Sequence, residues 1–159
     1  MHTLSLLVAL SAFVFSMPVQ QAPAVELVGP AASQKVMLAE LASLPRTSVT
    51  VDDHGSKATF EGVELRHLLA KVGAPLGDKL RGKELAHYVI AEAADGYRVV
   101  FALAELDAGF TDARVILADQ RNGKPIAGDE GPLRLIVEKE KRMGRSARQV
   151  TRLLLAVAR

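Results

Sequence analysis

The chain opens on an uncharged apolar run, Leu4 to Met17, and then breaks into short alternating segments that continue to its end. The opening run is too short to span a bilayer comfortably and has the length of a signal h-region. Ala22-Pro23-Ala24 offers a small-x-small pattern for cleavage before Val25. Residues 1–24 are therefore expected to be a signal peptide, with a single domain over residues 25–159. Retention of the run as a membrane anchor is the other reading.

Beyond the signal, Val25 to Val28 predicts a short strand ended by Gly29-Pro30. Leu38, Leu41 and Leu44 fall at intervals of three before Pro45, predicting a helical turn or two over Met37 to Leu44. The β-branched run Thr47 to Val51 predicts a strand, Asp52 to Gly55 a turn, and Lys57 to Phe60 the returning strand. Leu65, Leu68, Leu69 and Val72 mark one face of a helix over Glu64 to Val72, and Gly73 stands where a C-terminal glycine belongs. His67 falls on its polar face, where a solvated histidine is expected.

Two strand-like runs, His87 to Ala93 and Tyr97 to Ala102, are joined through Asp95-Gly96, a strong hairpin signal. A brief helical turn is expected over Leu103 to Leu106. Val115 to Ala118, Leu133 to Val137 and Val150 to Val157 complete the strands, with a turn at Asn122 to Pro125. Strands outnumber helices and come in hairpins, so the fold class is α+β, mostly β.

Composition narrows the chemistry. Twenty basic and 18 acidic residues are interspersed and sum to +2, which argues against nucleic acid as a partner because that needs a concentrated basic stripe. There is no cysteine, so disulfides and thiolate metal sites are both excluded. The four histidines, His2, His54, His67 and His87, share no metal-ligand spacing. No P-loop, nucleophile-elbow or dinucleotide-binding motif is present. Arg134 lies within an apolar strand and needs a partner if it is buried, with Glu92 and Glu105 as candidates. Tyr97 is expected to be a half-buried strand residue.

The order of short motifs carries more. Phe60-Glu61-Gly62-Val63-Glu64-Leu65 with Leu68-Leu69 is followed by Ala94-Asp95-Gly96-Tyr97, then Asn122-Gly123-Lys124-Pro125, then Gly131-Pro132-Leu133-Arg134-Leu135, and finally Arg148-Gln149-Val150-Thr151. Gly62 is expected to admit a bend before the helix. This series resembles the oxidoreductase molybdopterin-binding domain, the catalytic fold of the sulfite oxidase family, over about residues 26–157.

The resemblance implies a sulfite-oxidase-type fold and makes molybdopterin the expected cofactor. In the family's enzymes one cysteine, shortly before the F-x-G-V helix, holds molybdenum. The matching stretch here, Val49 to Lys57, offers Asp52, Asp53 and His54 instead. Molybdenum is thus not expected to be bound through protein, and no catalytic residue is assigned. His54, with Asp52 and Asp53, lines a cofactor pocket or simply belongs to a polar turn. Arg148 matches the family's lysine near the C-terminus, and Arg145 with Arg148 would meet a pterin phosphate, guanidinium being suited to bidentate phosphate binding.

Three functions fit these residues. The first is a periplasmic or secreted binding module for a pterin or another small anionic ligand, or an accessory to a partner redox or membrane protein. The second is a molybdopterin-dependent oxidoreductase with a non-cysteine ligand. The third is a partner-binding scaffold without any ligand.

Overall fold

The computed structural model describes residues 22–158. The expected signal run therefore lies outside the described residues. Among those residues no helix is long and apolar enough to cross a membrane.

The described residues build ten strands in two sheets. Strands β1 (Ala24–Val28) and β2 (Ser33–Met37) form an antiparallel pair, followed by one turn of helix α1 (Leu38–Leu41). Strands β3 (Arg46–Asp53) and β4 (Ser56–Glu64) form a hairpin that runs into helix α2 (Leu65–Ala70). After a loop with two 3-10 turns, β5 (His87–Ala93) and β6 (Arg98–Ala102) form the second hairpin, with a further 3-10 turn over Leu103–Leu106. Strands β7 (Val115–Arg121), β8 (Lys124–Pro125), β9 (Arg134–Val137) and β10 (Val150–Val157) follow. One sheet has the order β2-β1-β10-β5-β6, and the other the order β3-β4-β7-β8 with β9 also paired to β7.

Strand β10 brings the end of the chain back between β1, parallel to it, and β5, antiparallel to it. The large apolar core lies between the inward face of this sheet, helix α2 and one face of the second sheet. Leu65, Leu68 and Leu69 of α2 are fully buried in it, and Gly73 takes φ +84° just past the helix as its position requires. A smaller apolar cluster forms on the other face of the second sheet around Phe60, Ile116 and Ile136. Residues of β7 alternate between the two cores, which is why Val115 to Ala118 reads as an unbroken apolar run.

Both hairpin turns of the second sheet pair a non-glycine with a glycine at positive φ. His54 and Gly55 have φ +57° and +85°, Asn122 and Gly123 +50° and +74°. That pattern is the type I′ turn, whose twist matches that of the flanking strands.

Several expectations are corrected. Strand β2 does not stand out in the sequence, because Ser33, Gln34 and Lys35 are all exposed and only Val36 is buried. Helix α1 is shorter than the leucine spacing predicted. Gly62 makes no bend before a helix. It lies within β4 at a bulge where Gly62 pairs with Ala118 and Glu61 with Gln120, leaving Asp119 of β7 over. A Cβ on Gly62 would sit 2.1 Å from the Leu117 carbonyl oxygen, so the close backbone approach explains the glycine.

Candidate functional site

An open cleft of about 620 Å³ lies where the β3–β4 turn, the β5–β6 turn and the segment before β10 converge. His54, Tyr97, Arg134, Met143, Arg148 and Gln149 are among its lining residues. Each arrives by a local rule. His54 is the first residue of a type I′ turn. Arg134 begins β9 and points to the Phe60 side of its sheet, opposite in sense to Leu135. Arg148 and Gln149 lead into β10, and Gln149 takes φ +49° although it is not glycine. Strained non-glycine backbone of this kind is held only where its surroundings over-determine it.

The base of the cleft is an arginine–carboxylate network. Arg134 and Asp53 are both 1% exposed at their side chains, with Arg134 Nη2 donating to Asp53 Oδ1 at 2.9 Å and Nη1 to Oδ2 at 3.3 Å. Arg121 Nη2 reaches Asp53 Oδ2 at 2.8 Å. Glu130 receives Arg134 at 3.2 Å and Arg121 at 3.3 Å. Both guanidiniums also lie against the Phe60 ring, 5.1 Å and 5.7 Å from its centroid. Burial by itself would raise the Asp53 carboxyl, but hydrogen bonding and charge from Arg134, with Arg121, hold it below the usual carboxylate range. The Arg134 Nε is buried without a partner among the described residues.

Nearer the mouth the pairing loosens. Arg148 is partly exposed and reaches Glu130 only at 3.5 Å and Asp129 at 3.9 Å. His54 is 70% exposed, 3.9 Å from Asp53. The Tyr97 hydroxyl donates to the Gly144 carbonyl at 2.7 Å, tying the β5–β6 turn to the segment that carries Arg148. Tyr97 is thus an exposed turn residue and not the half-buried strand residue that was expected.

Of the residues read as cofactor-binding, His54 and Arg148 come together in this cleft. Arg145 does not. It lines a separate depression with Glu105, Phe110 and Glu140, pairs with Glu105 and Glu140, and stacks on Phe101 at 4.6 Å. Arg145 closes the 3-10 turn Met143–Arg145, and the buried Ser146 and Ala147 separate it from Arg148. Arg134 is buried, the condition under which a partner was required, and its partners are Asp53 and Glu130 rather than Glu92 or Glu105. Glu92 and Glu105 are taken instead by Arg98, Arg152 and Arg145. Asp53 was noted in the sequence only as a neighbour of His54, and Arg121 and Glu130 were not singled out. The one available signal was the burial of Arg134, which demands a carboxylate without saying which.

A sequence model of the oxidoreductase molybdopterin binding domain matches residues 25–157. The chain belongs to that family. Its two-sheet, mostly β architecture is the sulfite-oxidase-type fold that the motif order implied. Among solved structures it is similar to the sulfane dehydrogenase SoxCD from Paracoccus pantotrophus, with 20% identity and a TM-score of 0.62. The match covers 83% of this chain and 37% of that one, so this chain spans well under half of its length. At that identity the likeness shows the fold alone. No curated protein sequence matches the chain.

The family binds molybdopterin, and the donor set of the cleft can be compared with that cofactor's needs. The one sulfur lining the cleft belongs to Met143, a neutral thioether packed against the Phe60 cluster. It does not replace an anionic thiolate as a soft ligand. Asp53, in the stretch that matches the family's cysteine, is enclosed and already bound to two guanidiniums. A protein-ligated molybdenum therefore does not fit these residues. For the phosphate of a pterin, Arg121, Arg134 and Arg148 are balanced by Asp53, Asp129 and Glu130. Only Arg148 is loosely enough paired to turn toward an incoming anion.

Proposed function

We propose that this chain is an exported, non-catalytic member of the family that binds a small anionic ligand, a pterin phosphate among them, at the His54–Arg148 cleft. The observation that carries this reading is the division of labour among the cleft's charges. The deep carboxylate, Asp53, is neutralised by Arg134 and Arg121, whereas Arg148 at the mouth has only distant partners. A guanidinium in that state gains two charge-assisted hydrogen bonds when an oxyanion arrives, and gives up little to do so. His54 beside it adds a second polar contact. Asp53 supports the non-catalytic part, because a buried carboxylate already shared between two arginines is not free to ligate a metal.

Export is part of the same proposal and rests on the apolar run and on Ala22-Pro23-Ala24. Cleavage after Ala24 would leave Val25, the first fully buried residue of β1, as the new terminus. N-terminal sequencing of protein recovered from the periplasm should begin at Val25, and protein recovered with its apolar run intact in the membrane fraction would contradict export as a soluble domain.

The test of ligand class uses protein expressed with its signal in a host that makes molybdopterin. Molybdenum is measured by elemental analysis and pterin by fluorescence after oxidation, and the purified protein is titrated calorimetrically with inorganic phosphate. The expected result is no stoichiometric molybdenum, with anion binding that Arg148→Gln weakens about tenfold or more. Stoichiometric molybdenum would overturn the non-catalytic reading. Absence of both pterin and phosphate binding would overturn the binding reading and leave a scaffold for a protein partner.

A further inference from the structure

The outward face of the β2-β1-β10-β5-β6 sheet carries side chains in ordered rows across the strands. Register places Lys35, Glu26, Arg152, Glu92 and Arg98 in one line. Charges alternate along it, with Arg152 bridging Glu26 at 3.3 Å and Glu92 at 3.5 Å, and Arg98 meeting Glu92 at 2.9 Å. The next outward row is apolar: Val28, Leu154, Ile90 and Val100. A third holds Ala156, Tyr88 and Ala102. Val100 is 52% exposed, and none of these outward apolar residues belongs to either core cluster. A contiguous apolar patch bordered by charge is the pattern of a protein interface.

We propose that this face is the two-fold interface of a homodimer, its occupant a second copy of the same chain. The charge order supplies the argument. Read across β1, β10, β5 and β6, the row runs Glu26, Arg152, Glu92, Arg98. A second copy turned about an axis parallel to the strands, between β10 and β5, presents the same row reversed. Glu26 then lies over the second copy's Arg98, and Arg152 over its Glu92, so every position meets the opposite sign. The same rotation lays Val28 over Val100 and Leu154 over Ile90, joining the apolar rows in one seam. Sheets stacked face to face lie about 10 Å apart, a gap that paired arginine and glutamate side chains can bridge. An isologous contact requires this self-complementarity. A nucleic acid or an acidic peptide would instead meet Glu26 and Glu92 as repulsion. Lys35 falls beyond the second copy's β6 edge and takes no part.

Sedimentation equilibrium on the purified protein across the micromolar range tests the proposal, with circular dichroism confirming that each variant is folded. The wild type is expected to dimerise, and Ile90→Lys, at the middle of the seam, to weaken the dimer at least about tenfold. Arg98→Glu and Glu26→Arg each place like charges across the axis and should also weaken self-association about tenfold. An equimolar mixture of those two variants restores opposite charges at both contacts and should regain wild-type association. A monomer throughout the micromolar range would overturn the proposal, leaving the face to another protein or to residues 1–21. So would a dimer indifferent to Ile90→Lys, or a mixture no better than its components.

Discussion

On the outward face of the five-stranded sheet, Arg98 sits 66% exposed beside Glu92, one member of a surface line of alternating charge. At the base of the cleft, Arg134 and Asp53 make a pair of the same chemical type with both side chains 1% exposed. The Arg98–Glu92 contact is as short as the Arg134–Asp53 contact, 2.9 Å in each. Distance therefore does not separate the two. Solvent does. Water screens the surface pair and can replace either partner, so its net contribution is small. Neither buried ion can recover its hydration if the other is lost, so the deep pair is costly to break whether or not it stabilises the fold relative to an apolar alternative.

The largest effect is expected where the comparison is broken on the buried side. Asp53→Ala leaves Arg134 enclosed with only Glu130 to meet it and should lower stability by about 3–5 kcal/mol in urea denaturation. A loss below about 1 kcal/mol would mean that water reaches Arg134 and that the base of the cleft is not dry. Next comes the double replacement Asp53→Leu with Arg134→Met, which removes both charges together. It should recover most of that loss, because two apolar side chains of similar volume need no partner.

A smaller effect is expected from acid. The Asp53 carboxyl is held below its unfolded value, so it stabilises the fold above that value and this contribution disappears as pH falls through the folded one. The loss should therefore develop below about pH 4, the range of unperturbed carboxylates. Glu138, held low by hydrogen bonds from Arg114, contributes in the same window with the same sign. The acid limb of a stability–pH curve should be shallower in the Asp53→Leu/Arg134→Met protein than in wild type, and identical limbs would contradict the assigned shift. The smallest change belongs to the surface pair. Arg98→Ala should cost about 0.5 kcal/mol, and its effect should fade in high salt. Its larger consequence is expected in self-association, not in stability.

These contrasts bear on what could be read beforehand. Strand β10 was legible at its observed bounds, Val150 to Val157, because a short apolar run such as Leu153 to Val157 is a local property of the chain. Helix α2, the β5–β6 hairpin and the His54-Gly55 and Asn122-Gly123 turns were legible for the same reason, since neighbouring residues determine them. Strand β2 was not, because it lies at a sheet edge and buries a single residue fully. Gly62 was marked correctly as special, but for a bend, when the cause is the β7 backbone lying across it.

The site divides along the same line. His54 and Arg148 do share a cleft, and the sequence suggested both. Arg145, three residues from Arg148, faces a different depression, because it closes a 3-10 turn and the two residues between them, Ser146 and Ala147, are buried. Asp53 looked like one more polar turn residue, yet it is the most enclosed carboxylate of the network around Arg134. Arg134 plainly needed a partner, and 18 acidic residues were on offer.

By itself, the sequence determined the class of fold, the family, the absence of a thiolate and the positions of most strands and tight turns. Each depends on local periodicity, on residue order or on composition. Only the tertiary structure decided which carboxylate meets which arginine, which cation is left loosely paired at the cleft's mouth, and which sheet face the described residues leave uncovered. Charge pairing carries no periodicity, and Asp53 and Arg134 lie 81 positions apart. Any carboxylate could satisfy that arginine until folding brings one of them within reach and shuts out the water that would have made the choice indifferent.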